Sequence, residues 1–213
     1  MSTYNSDTMK KYPIIFSIYT ICLLSISLLL SKDRFTWILE VFPILIGFPI
    51  LFFTYKSFRL TRMLYILLCI HFLILAVGGI YTYANVPLGF WMQDFFNFQR
   101  NHYDRIGHFA QGFIPALLIR EVLLRTSPLK PGKWLSFIVV SICLAISAIY
   151  ELIEWATATV QGASSDAFLG SQGDVWDAQW DMFFALLGAI VGLVTLSKIH
   201  NKFLKKDVYE KSE

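Results

Sequence analysis

The chain has 213 residues, 56% hydrophobic and 15% charged, with a mean hydropathy of +0.57. Soluble domains carry about 25% charged residues, so this composition points away from a soluble class and toward an all-α, polytopic transmembrane bundle. A net charge of +3, with Lys and Arg scattered, gives no basic stripe of the kind that binds nucleic acid.

Six apolar segments are long enough to cross about 30 Å of hydrocarbon: 13–31, 36–54, 63–83, 106–124, 134–155 and 180–197. They predict one six-helix transmembrane domain over 13–197, between a cytoplasmic tail at 1–12 and a basic cytoplasmic tail at 198–213 that reads as a frayed helix end. The first segment follows Lys10 and Lys11 as a signal peptide would. It lacks an Ala-x-Ala-like cleavage site, so it reads as a retained span. Trp37, Tyr81, Tyr83, Trp134, Trp155 and Trp180 mark segment ends as interfacial anchors. Cys22, Cys69 and Cys143 each lie in an apolar run and read as small buried hydrophobes. With both termini inside, thirteen of the eighteen Lys and Arg fall in inner segments and four in outer loops. That bias predicts an inner-membrane protein with both ends cytoplasmic and the long loops, 84–105 and 156–179, outside.

Charged groups inside a bilayer cost about 2.5–3.5 kcal/mol each on insertion scales, so their positions carry information. Glu40 follows the start of the second segment. Asp104, His108 and Gln111 open the fourth, Tyr150, Glu151 and Glu154 end the fifth, and Asp174, Asp177 and Asp181 open the sixth. All fall at the outer ends. Asp104, His108 and Gln111 recur at i, i+4 and i+7, within about 60° on a helix. The three aspartates and the two glutamates likewise share faces, so three helices each offer a polar stripe to one vestibule. Carboxylates crowded there repel unless protons or a cation compensate. Asp104, His108, Asp177 and Asp181 are the candidate ligands of a divalent metal (Mg, Mn or Zn), and Glu151 and Glu154 the candidate general bases. His71, nearer mid-span, reads as a neutral core histidine with a proton relay as its alternative. Arg120 and Glu121 are explained by snorkelling or pairing, and Gly188-x-x-x-Gly192 by close helix packing.

The segment Tyr103-Asp104-Arg105-Ile106-Gly107-His108-Phe109-Ala110-Gln111-Gly112 closely resembles a signature of the YjdF-like family of bacterial inner-membrane proteins. So do the stretches 83–91, Tyr150-Glu151-Leu152-Ile153-Glu154-Trp155 and 170–181, and the likeness runs from about Arg34 to Leu196. This resemblance implies a multi-pass inner-membrane location and names no activity. A looser similarity, to VanZ-like proteins, rests on Asp104/His108, Glu151/Glu154 and Asp177/Asp181 before Gly188, and implies an envelope-related role.

Three functions compete on these residues. One is metal-dependent hydrolysis or transfer on a lipid or envelope-linked substrate at the outer face. Another is a proton- or cation-coupled carrier, for which six spans are few unless copies associate as a homo-oligomer. The third is a noncatalytic sensory or envelope-protective role.

Overall fold

The computed structural model describes residues 6–161 and 171–211. The middle of the second long loop, 162–170, and both extreme ends of the tails therefore lie outside the described residues. The first helix, α1, runs Ser6–Leu30, and Asp33 starts the next. Its carboxylate accepts the Phe35 and Thr36 N–H groups at 2.9 and 3.2 Å and the Thr36 hydroxyl at 2.7 Å. These bonds satisfy donors that a helix start leaves open. They hold the Asp33 carboxyl below the usual carboxylate range, the Thr36 hydroxyl foremost.

The second apolar segment is one run in sequence and two helices in space: α2 (Arg34–Glu40) and α3 (Phe42–Thr54), bent by 55°. Pro43 causes the break. It has no N–H to give the Leu39 carbonyl, and its ring crowds that same oxygen. The Tyr150 hydroxyl donates to the Leu39 carbonyl instead, at 2.7 Å. Trp37, read from sequence as an interfacial anchor, is buried at this break, and its Nε1 donates to the Ser27 hydroxyl at 3.0 Å.

Next come α4 (Arg62–Tyr81), a 3-10 turn (Tyr83–Asn85) and α5 (Pro87–Phe96), which occupies ground expected to be loop. The remaining helices are α6 (Tyr103–Thr126), α7 (Lys133–Gln161) and α8 (Asp177–Asp207). α1, α4, α7 and α8 are each long and apolar enough to cross a membrane, and the bent α2–α3 pair makes a fifth candidate. α6 is the remaining expected segment. Its 24 residues would reach across, but Asp104, Arg105, His108, Arg120, Glu121 and Arg125 make it too polar to pass on composition.

That helix is tolerated because its charged groups are buried or paired. α6 packs against α4, α7 and α8, while α1 packs on the far side of α4. Leu64, Leu68, Leu75, Ile114 and Leu117 fill the seam between α4 and α6. The α6–α8 crossing is the closest. A Cβ on Gly112 would collide with the Ala185 carbonyl, and one on Gly188 with the Phe109 carbonyl. Small residues there let two backbones touch, as the Gly-x-x-x-Gly spacing predicts. Both helices start at the same end of the bundle, so the crossing sets the opening turn of α8 beside that of α6.

Arg120 and Glu121 are buried and paired at the other end. Glu121 accepts the Thr61 N–H and hydroxyl at 3.0 and 2.8 Å and Arg125 at 2.8 Å, and lies 3.0 Å from His200 Nε2. Arg120 lies 3.0 Å from His200 Nδ1. A guanidinium only donates, so Nδ1 accepts and Nε2 carries the proton toward Glu121. Arg62 and Asp207 form a second buried pair at 2.8 Å. The helix of α8 thus continues well into the stretch read as a frayed tail.

Candidate metal centre

At the end where α6 and α8 begin, α6 carries Asp104 and His108 one turn apart, and α8 adds Asp181 from across the glycine crossing. All three are buried, and one ligand atom from each lies within 4.8 Å of the others. His108 Nε2 stands 3.5 Å from Asp104 Oδ1 and 3.8 Å from Glu151 Oε1 on α7. These separations are longer than hydrogen bonds. Asp181 Oδ1, Glu151 Oε1, Glu40 Oε1 and His108 Nδ1 have no hydrogen-bond partner among the described residues. Buried polar atoms are nearly always satisfied, so four orphans in one place call for a ligand or bound solvent.

The space beside Asp104 and His108 is small, and neither Asp181 nor Glu151 lines it. A cavity of about 10 Å³, bordered by Glu40, Tyr83, Asp104, His108, Gln111 and Glu154, has room for about one water or a bare ion. Glu154 also lines a second, open cavity of about 260 Å³ together with Glu151, Trp155, Ser171, Asp174 and Asp177. Glu154 therefore stands between an ion-sized chamber and a groove large enough for a polar head group, and Glu151 faces the groove.

Tyr83 closes the chamber wall. Sequence placed it at the membrane surface, yet it is 8% exposed. Thr82, at φ +62°, turns the chain sharply after α4, and the Asn85 side chain donates to its hydroxyl at 2.8 Å. A β-branched residue in this region is strained. The turn drives the Tyr83 ring between Gly78 on α4 and Gly107 on α6, where either Cβ would clash with it.

The other expected residues are placed differently. Asp177 is taken by Arg100 at 2.6 Å, and Asp174 by Arg105 at 2.7 Å and Arg100 at 3.4 Å. Asn101 and Gln172 lock the same two loops: the Asn101 N–H donates to Gln172 Oε1 at 3.1 Å, and Gln172 Nε2 donates to the Asn101 carbonyl at 2.9 Å. The Trp176 N–H first, then the two arginines, hold the Asp174 carboxyl below the usual range. His102 is pushed below the usual imidazole range by burial and then by Arg105 and Arg100. His71 is buried in α4 with Nδ1 unpartnered, one turn from Leu75 on the chamber wall. Arg100, Gln172 and Tyr83 were not singled out in sequence as site residues. Arg100 and Gln172 have only their place in loops to mark them, since their partners lie more than seventy positions away.

Residues 12–202 match a family described as "Predicted membrane protein (DUF2238)". The chain is 47% identical over 176 residues to "Inner membrane protein YjdF" of Escherichia coli (strain K12), covering 83% of this chain and 84% of that protein. No solved structure matches. Neither match bears on the VanZ-like pattern.

Proposed function

Because the chain belongs to this DUF2238 family, as a multi-pass inner-membrane protein whose family description names no reaction, we propose a function from the site itself: a membrane-embedded, divalent-metal-dependent hydrolase or transferase. The supporting observation is the buried Asp104–His108–Asp181 set with an unpartnered carboxylate oxygen at Asp181. Two carboxylates and one imidazole suit Zn²⁺ or Mn²⁺, and Mg²⁺ where waters complete the shell. Such a metal lowers the pKa of a bound water and polarises a phosphoryl or acyl oxygen. Glu154, between chamber and groove, and Glu151, on the groove 3.8 Å from His108, are the groups to take the proton from an attacking water. Asp177 joins the set only on release from Arg100.

The bias of basic residues toward the opposite end supports an orientation with both termini cytoplasmic and the site at the outer face. There the groove meets lipid or envelope-linked substrates. Cysteines introduced at exposed Lys32 and Lys130 test this: an impermeant reagent added outside labels the first and spares the second. The reverse pattern overturns the orientation.

Elemental analysis of detergent-purified protein tests the metal. Stoichiometric Zn, Mn or Mg that is lost in Asp104→Ala, His108→Ala and Asp181→Ala supports the reading. Protein that stays metal-free after purification with each ion supplied refutes it. The 3.5 and 3.8 Å spacings of His108 from two carboxylates then favour a proton-sharing network, and with it a carrier or noncatalytic role.

A further inference from the structure

Two more cavities meet on a different face of α6. One, about 440 Å³, is apolar, lined by Met92 of α5, Ile106 and Phe109 of α6, and Phe184 of α8. The other, about 560 Å³, is polar, lined by Gln99, Arg100, Gln172, Asp174 and Trp180. His102 and Arg105 border both. Phe109 lies one turn below Arg105 and Phe184 one turn below Trp180, so polarity changes along the bundle axis by about one 5.4 Å pitch. The polar part sits among the loops and helix starts, and the apolar part descends between the helices. A lipid at a membrane surface has this same order of parts.

On the polar wall Arg100 is paired chiefly with Asp177, at 2.6 Å, while Arg105 meets Asp174 at 2.7 Å. Arg105 stacks on Trp180 and Phe184, at 5.3 and 6.0 Å from the ring centroids. Among the described residues its hydrogen bond is from Nη2 to Asp174, and Nε has no partner, so a planar guanidinium with five donors keeps capacity for a second acceptor. Beside the cleft, α5 presents Trp91, Phe95 and Phe96, all more than half exposed, as an interfacial helix does.

We propose that this cleft binds one phospholipid, its phosphate at Arg105 and His102 and one acyl chain between α5 and the α6–α8 pair. The site is separate from the carboxylate chamber and does not depend on a metal there.

Native mass spectrometry of the full chain in detergent provides the test, with dioleoylphosphatidylglycerol as probe and dioleoylglycerol as the comparison lacking phosphate. The expected result is one retained phospholipid per protein, with at least tenfold less retention of the diacylglycerol. Met92→Trp fills the apolar slot from α5 without touching an ion pair, and Arg105→Gln removes the phosphate donor. Each lowers phospholipid retention at least tenfold, while Arg34→Gln, on the exposed surface of the same end, leaves it unchanged. Equal retention of the two lipids, or full retention by a folded Met92→Trp protein, overturns the proposal.

Discussion

Gly107→Ala tests the wedge that shapes the chamber. A Cβ at Gly107 would stand 2.6 Å from Tyr83 Cε1, against 3.4 Å for ordinary contact, so the ring must retreat by 3.4 − 2.6 = 0.8 Å. It has nowhere to go, because its opposite edge already rests on Gly78. Either α6 moves, carrying His108 with it, or the strained turn at Thr82 opens. Overpacking of this kind costs about 1–3 kcal/mol. Equilibrium unfolding in mixed micelles measures that loss. A double-mutant cycle with Tyr83→Ala isolates its cause, since removing the ring removes the clash. The two changes should then couple by about 1 kcal/mol or more, the double variant being more stable than the sum of the singles implies. Additivity within about 0.5 kcal/mol would refute the wedge.

Three further outcomes follow from other parts of the molecule. Tyr150→Phe removes the hydroxyl donor to the Leu39 carbonyl at the Pro43 break and should destabilise by about 0.5–1.5 kcal/mol in the same unfolding assay. Glu121→Ala removes the acceptor of the buried cluster at the opposite end and should cost about 3–5 kcal/mol; a loss below about 1 kcal/mol would show that the cluster is dispensable. Asp174 has a folded-state pKa below its ordinary 3.8, so its contribution to the clasp with Arg100 and Arg105 is complete above that value. It disappears only as pH falls through the lower folded value. Hydrogen exchange at the Asp174 and Trp176 amides, corrected for intrinsic chemistry, should therefore keep constant protection between about pH 7 and 4. Protection that collapses near pH 6 would rule this out.

Hydropathy and periodicity made the helical membrane class legible, as well as the face shared by Asp104 and His108, because both depend on neighbours along one helix. The spacing of Gly188 and Gly192 announced a close crossing. The break at Val41 was hidden, although Pro43 was in plain view, because an unbroken apolar run masks a bend. α5 was missed for the opposite reason: ten residues with Pro87 at the start are too short to span. Nothing local says that Arg100 takes Asp177, or that Asn101 meets Gln172. Those pairings are fixed by how two loops dock, and a sequence read segment by segment contains no such term. The same holds for His200 and Asp207, whose roles depend on the distant Glu121 and Arg62.

The dependence of α6 on α8 has a consequence for synthesis. Arg105 leaves the ribosome 69 residues ahead of Asp174, and Glu121 leaves 79 ahead of His200. Through that interval α6 carries its charges with few of their final partners, and each resists entry into lipid. The helix cannot settle by partitioning alone, as α1 and α4 can. Its pairing is completed only when Asp174 and α8 arrive, Asp174 meeting Arg105 and His200 meeting Arg120 and Glu121. A helix translated later therefore completes the pairing of one begun well before it.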